Sequence, residues 1–196
     1  MGERFLLVGL GNPGPRYAGN RHNVGFHVLD HLAAAAGISL SRSKFKGTYG
    51  TGDLDGQSLV LLKPETFMNL SGQSVSAARS FFDVAPSRIL VVHDELDLPF
   101  EKLRLKIGGG HAGHNGLRSI MAELGTGDFP RLRVGIGRPV KGDVVDFVLQ
   151  DFAPDQRPFV PDLLDRAAAA LRLALSQGVG KAMNSVNTEP KAPPVP

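Results

Sequence analysis

Phe45-Lys-Gly-Thr-Tyr-Gly-Thr-Gly-Asp-Leu-Asp-Gly-Gln-Ser-Leu-Val-Leu-Leu-Lys63 contains two strand-like runs, Phe45 to Leu54 and Ser58 to Lys63, divided by Asp55-Gly56. Asp-Gly between β-prone runs is a strong hairpin signal, because both central residues of a type I′ turn need positive φ. An antiparallel pair is therefore expected here. Upstream, Arg4-Phe-Leu-Leu-Val-Gly-Leu10 is a short apolar run bounded by glycine, which suits a buried strand. The apolar positions from Val24 to Ala36 predict a helix stopped by Gly37. Downstream, Pro64 breaks the run, and Leu70, Val75, Ala78 and Phe81 or Phe82 predict a helix over 69–82. Ile89-Leu-Val-Val92 reads as a central strand ending in His93-Asp94-Glu95. Leu103-Arg-Leu-Lys-Ile107 alternates apolar and basic residues, so one face is buried and the other charged. A glycine-rich loop, Gly108 to Gly116, leads to a helix over 117–124, and Arg131 to Ile136 is a last strand. A short helix over 144–149 and a longer one over 158–177, with Leu163, Ala167, Leu171 and Leu175 on one stripe, complete the pattern. Strands interleaved with helices indicate an α/β domain, and the hairpin makes its sheet mixed rather than purely parallel. In such sheets, ligand sites lie on the loops at strand ends.

The chain has 196 residues, and at roughly 150 residues per domain that is a single α/β domain, expected over 1–186. Residues 187–196 include four prolines and read as a disordered tail. Hydrophobic residues make up 42% and charged residues 21%, the balance of a globular protein. With no cysteine, thiol nucleophiles, Cys-ligated zinc and iron–sulfur clusters are excluded. No apolar stretch approaches the roughly 20 residues of a spanning helix, and acidic Glu3 stands where a signal peptide is basic. A cytoplasmic location with no membrane partner is expected. Residues 102–141 hold eight basic side chains against Glu123 and Asp128, so that this segment carries +6 of a net +3 and the remainder sums to −3. A phosphate-bearing partner requires such a segment, although an ordinary solvated face has the same composition.

Gly9-Leu-Gly-Asn-Pro-Gly14 satisfies G-x-G-x-x-G after a strand, which by itself suggests dinucleotide binding. Here Pro13, Pro15 and a polar loop delay the helix that would meet a pyrophosphate, and the nearby acid, Asp30, falls inside the predicted helix. The other reading is a turn that presents Asn12. His27 and His31 at i, i+4 lack the glutamate of a metalloprotease helix, and His111 and His114 lack a visible third ligand, so no metal and no cofactor is expected. No serine sits in G-x-S-x-G. A hydrolase built from these residues must use water as nucleophile, with a positioned base. His22 ends the loop after the first strand and Asp94 ends the strand at 89–92. If those strands are neighbours, the carboxylate can hold one imidazole nitrogen and leave the other free to deprotonate water. Asn12, Asn23, Asn69 and Asn115 fall near strand-to-helix junctions. Any one could simply cap a helix, but together they suit a polar site that holds a carbonyl and stabilises its oxyanion.

Four segments in order resemble the bacterial peptidyl-tRNA hydrolase family. They are Gly9 to Gly14 with Tyr17 and Arg21-His-Asn-Val-Gly25, Lys63-Pro-Glu-Thr-Phe-Met-Asn-Leu-Ser-Gly72, Val92-His-Asp-Glu-Leu-Asp-Leu-Pro99, and Gly108-Gly-Gly-His-Ala-Gly-His-Asn-Gly-Leu117. The likeness continues through Phe129 to Pro139. It implies hydrolysis of the ester joining a peptide to the 3′ end of tRNA, without metal or cofactor, by a monomeric single domain with a twisted mixed sheet flanked by helices on both faces. By that resemblance His22 is the base, held by Asp94 and Asn12, while Asn69 and Asn115 bind the peptide and the terminal nucleotide. Tyr17, Phe67 and Met68 would line the groove, with Asn23 and His114 among the substrate contacts. Lys106 and Arg133 would contact phosphates of the acceptor stem, and both lie in the basic segment. Ala112 stands where the family usually has glycine, and Pro99-Phe-Glu101 where Pro-Pro-Gly is more common. A rival of another class is an RNA-binding relative without turnover. The presence of His22, Asp94, Asn12, Asn69 and Asn115 argues against it.

Overall fold

The computed structural model describes residues 4–188. The strands are β1 (Phe5–Gly9), β2 (Arg42–Lys44), β3 (Gly47–Leu54), β4 (Gln57–Pro64), β5 (Ile89–Glu95), β6 (Leu103–Ile107) and β7 (Pro130–Gly135). The helices are α1 (Val24–Ala36), α2 (Ser71–Phe82), α3 (Asn115–Leu124), α4 (Val144–Val148), α5 (Val160–Gln177) and α6 (Val179–Val186). They form one α/β unit around a seven-stranded sheet of order β2-β3-β4-β1-β5-β7-β6. The centre, β4-β1-β5-β7, is parallel, and the edges β2, β3 and β6 run antiparallel to their neighbours.

The Asp55-Gly56 hairpin is present as expected: Leu54 pairs with Gln57, and Asp55 and Gly56 take φ of 51° and 80°, the two positive values a type I′ turn demands. The central strands alternate between two cores. Leu7, Leu61, Leu90 and Val92 face α1, α5 and α6, whereas Leu6, Val8, Leu62 and Val91 face α2 and α3, so both faces are covered. Two elements have no counterpart in the sequence reading. β2 is a fully exposed edge strand with no apolar periodicity. α6 follows α5 after only Gly178. Beyond α6, the Asn187 side chain pairs with both the N–H (2.8 Å) and the C=O (2.9 Å) of Leu105, which occupies the open edge of β6. Most of the expected tail, from residue 189, lies outside the described residues.

The chain leaves β1 to build β4 on one side of it and then crosses to build β5 on the other. Such a switch point opens a crevice at the carboxyl ends of the strands. Close packing of α1 onto this crevice depends on two glycines. A Cβ at Gly9 would lie 2.3 Å from the Gly25 carbonyl oxygen, and one at Gly25 would lie 2.5 Å from both Leu10 N and Val92 O. Gly9, the first glycine of the dinucleotide-like fingerprint, therefore serves helix-on-strand contact with Gly25, and the pair brings the start of α1 against the end of β5.

Candidate active site

That contact seats His22, in the single turn before α1, beside Asp94 at the end of β5. His22 Nδ1 lies 3.0 and 2.9 Å from the two Asp94 carboxylate oxygens. On the other side, His114 Nε2 is 2.8 Å from Asp94 Oδ1. The tautomer of His114 follows from its second nitrogen. Nδ1 accepts the Gly116 and Leu117 N–H groups at the start of α3 (3.1 and 3.4 Å), so the ring proton sits on Nε2 and is donated to Asp94. This capping also explains why α3 begins at Asn115, two residues before the apolar pattern does. His93 lies behind them, with Nδ1 donating to the Asp94 carbonyl at 2.7 Å.

The charges follow from this packing. Burial alone would raise the Asp94 pKa, but His22 and His114, through charge and hydrogen bonding, hold the carboxyl far below the usual carboxylate range. Burial opposes a charged His22, yet the charge and hydrogen bond of Asp94 prevail and raise its pKa above 6.5. His93 is pushed down to about 3, first by burial and then by its neighbour His114, and is neutral at pH 7. Asp94 is thus a fixed anion between two imidazoles. His22 donates to it through Nδ1, which leaves Nε2 with a free lone pair.

Nearby, Asn12 is held through its backbone. Its N–H donates to Asn23 Oδ1 and its C=O accepts from Asn23 Nδ2, both at 2.9 Å. Its side-chain oxygen accepts the Met68 N–H at 2.9 Å, so its amide nitrogen is the end turned to the cavity. These groups line a cavity of about 600 Å³. Asn12, His22 and Asp94 form its polar floor, Asn69 and Asn115 its rim, and Phe67 and Met68 one apolar side. Leu96, Val144, Val145, Val148 and Leu149 form the other.

The match to known proteins decides the family. Residues 6–194 fit the family model for peptidyl-tRNA hydrolase. The chain belongs to the peptidyl-tRNA hydrolase family. It is 51% identical to the peptidyl-tRNA hydrolase of Geotalea daltonii, across 94% of this chain and 96% of that protein. It is 52% identical to that of Citrifermentans bemidjiense, across 93% and 97%. The crystal structure of peptidyl-tRNA hydrolase from Acinetobacter baumannii superposes with a TM-score of 0.89 at 43% identity, covering 96% of each chain. A peptidyl-tRNA hydrolase solved in complex with N-propanol gives 0.90 at 42% identity, covering 96% of this chain and 97% of that one. The chain is an enzyme of this hydrolase family.

Within this peptidyl-tRNA hydrolase fold, several expected residues take other places. Asn23 is buried, and both ends of its amide are engaged by the backbone of Asn12, so it does not line the cavity. Tyr17 also lies outside the lining, in a turn where its N–H bonds to Gly14 O and Arg16 lies over its ring. Among the described hydrogen bonds, His22 is held by Asp94 and none joins it to Asn12. His22, Asp94 and His114 are close enough to suggest a metal site. That reading does not fit, because the Nε2 of His114 carries its proton and has no lone pair for a cation.

Lys106 and Arg133 line a separate space of about 40 Å³ under the glycine loop, where Arg133 Nε donates to Glu95 at 3.0 Å. Arg131, counted with the basic segment, is 2% exposed. Its guanidinium donates to the carbonyls of Gly109, Gly110 and Gly127 at 3.0–3.2 Å and so fixes the loop that carries His114. The basic segment suits a phosphate-bearing partner by composition, but at Arg131 the glycine loop covers the charge. Arg131→Met should lower stability by about 3 kcal/mol, because three loop carbonyls lose the buried guanidinium that ties them together. A fall in the urea midpoint at unchanged m-value is the measurement, and an unchanged midpoint would show that the loop does not need this cation. The apolar wall of α4 was also missed as a site element. Its residues look like ordinary core in sequence, and Val145, 61% exposed, shows otherwise.

Proposed function

We propose that this chain hydrolyses the ester between a peptide, or an N-blocked aminoacyl group, and the 3′ end of tRNA, releasing tRNA for reuse in translation. The observation that carries the reading is the His22 Nδ1–Asp94 contact of 2.9 Å beside the cavity, with His114 securing the far side of the carboxylate. His22 Nε2 takes a proton from water as the oxygen attacks the ester carbonyl. Amide nitrogens, foremost that of Asn12, donate to the developing oxyanion. The ester C–O bond then breaks, the proton passes from His22 to the departing 3′ oxygen, and the acid and free tRNA leave. An ester gives up its alcohol far more readily than an amide its amine, so one base with a few donors is enough. Asn69 and Asn115 at the rim bind the peptide and terminal-nucleotide groups, and exposed Phe67 offers a ring on which a terminal base stacks. In the same reading the enzyme works as a cytoplasmic monomer, without metal or cofactor. Among the described residues no helix is long and apolar enough to cross a membrane.

The test compares release of tRNA from N-acetyl-aminoacyl-tRNA and from unblocked aminoacyl-tRNA in the presence of EDTA. Fast cleavage of the blocked ester alone is expected. Tight tRNA binding without any cleavage would instead favour the RNA-binding relative.

Lys106 and Arg133 are proposed as phosphate contacts of the acceptor stem. Arg104 faces Arg133, and Arg131 faces Lys106, across the β6–β7 ladder. Arg131 is covered by the glycine loop and Glu95 takes one nitrogen of Arg133, so Lys106, Arg104 and the rest of the Arg133 guanidinium are the cations that an anion could meet there. Lys106→Ala and Arg133→Ala should each weaken tRNA binding and reduce the slope of log K against log salt by about 1. Binding measured over a salt series checks this, and slopes unchanged in both variants would place the phosphate track elsewhere.

A further inference from the structure

Arg21 stands immediately before His22, is 5% exposed, and is absent from the lining of the cavity. Its Nη1 donates to the carbonyls of Phe147 (3.2 Å) and Gln150 (3.5 Å), and its Nη2 to Gln156 Oε1 (3.2 Å). The guanidinium lies 4.2 Å from the centre of the Phe147 ring and 5.9 Å from that of Phe152. Phe100, one of the departures from the family pattern, packs against Phe152 at 5.7 Å. Asp151 and Asp155 supply counter-charge. The backbone adds to the clasp: Arg21 N–H donates to Gln150 O at 2.9 Å, and the Asn20 side chain donates to Leu149 O.

What is clasped is α4 and the residues after it. α4 has five residues, of which Val148 is the one buried in the core. A helix that short is not stable by itself, so its position depends on what fastens its ends. Its Val144, Val145 and Val148 supply apolar lining to the same cavity that His22 lines.

We propose that Arg21 is a positioning residue that determines specificity: by fastening α4 to the His22 turn it fixes the width of the apolar cavity and so sets the preference for bulky apolar acyl groups at the scissile ester. The inference rests on the ester-hydrolysis reading above. A large apolar side chain beside the ester fills the gap between floor and wall and gains from contact with a wall held in place. A glycyl group does not reach the wall and is indifferent to it. Selectivity of this kind amounts to roughly tenfold or more for each lost apolar contact.

The experiment measures kcat/KM for N-acetyl-phenylalanyl-tRNA and N-acetyl-glycyl-tRNA with the wild-type enzyme, Arg21→Lys and Phe147→Leu. Lysine keeps the charge but cannot span the same acceptors. Phe147→Leu removes the ring beneath the guanidinium and leaves Arg21 in place, so it serves if Arg21→Lys does not fold. In Arg21→Lys the phenylalanyl-to-glycyl ratio should fall about fivefold to tenfold, with the pH midpoint of kcat unmoved. Phe147→Leu should move the ratio the same way by a smaller factor. A variant that merely loses active protein lowers both substrates equally and leaves the ratio intact. An unchanged ratio in the folded variants overturns the proposal, as does a shifted pH midpoint at constant ratio, which would assign Arg21 to His22 itself. Wild-type enzyme inert on both esters would instead overturn the reading on which the proposal rests.

Discussion

His22→Ala should lower kcat by ~10² or more while tRNA affinity stays within about twofold of the wild type. The imidazole lies at the cavity floor, 13% exposed in its side chain, and removing it takes away the lone pair on Nε2 without disturbing the basic residues of β6 and β7. Single-turnover release of tRNA from N-acetyl-aminoacyl-tRNA reads the first quantity and equilibrium binding the second. Equal losses in both would make His22 a structural residue. On the proposed mechanism the same group should set the pH dependence. Protonated imidazole has no lone pair to accept a proton from water, so activity is lost as pH falls through the His22 pKa and is full above it. Because Asp94 raises that pKa, the acid limb of the kcat profile should have its midpoint above the ordinary 6.5 of histidine. The limb should vanish in His22→Ala. A midpoint below 6.5 would show that burial, and not the carboxylate, dominates.

Asp94→Asn should cost nearly as much, about 10² to 10³ in kcat, although it changes a single atom type. The reason lies in His114. Its Nδ1 accepts two N–H groups of α3, which commits its Nε2–H to donate toward position 94. The oxygen of the new amide is therefore drawn to His114, and its NH2 faces His22. A donor in that place forces Nδ1 of His22 to accept, which moves the ring proton to Nε2 and blocks the nitrogen that should act as base. KM should change little, and the pKa of His22 should fall below its ordinary value once the negative charge is gone, because burial then acts unopposed. NMR of the imidazole nitrogens would report the tautomer directly. Turnover within tenfold of wild type, or an unchanged Nδ1–H tautomer, would refute this account of position 94.

Elements with short-range signals were legible in the sequence. Asp55-Gly56 supplies two positive φ values, and Gly37 at φ 66° ends α1 where the apolar stripe stops. Each signal lies within a few residues of the feature it specifies. β2 and α6 gave no such signal. β2 exists because β3 provides a ladder for it, and α6 because Leu105 and the core beneath it receive Asn187 and Ala182. In the same way the sequence singled out His22, Asp94 and Asn12 and offered Asp94 as the partner of His22, while the further partners, His114 for Asp94 and the Met68 N–H for Asn12, are set by packing.

Composition, the turn residues and the spacing of apolar positions determined an α/β domain with a mixed sheet, the ends of its main elements, and a set of polar residues at strand ends. Only the tertiary structure decided what each of those residues does. It gave His114, which lines the cavity, a second task as the clamp of Asp94, and turned Arg131 from surface charge into the anchor of the glycine loop. It took Asn23 and Tyr17 out of the cavity and fastened Arg21 to α4. The physical reason is that a buried cation or the position of a short helix depends on hydrogen-bond partners as far as 135 positions away in the chain, and the His114 tautomer, set locally by the N–H groups of Gly116 and Leu117, acquires its role only where folding brings Asp94 to it. A local pattern specifies which groups are available, and packing specifies which of them meet.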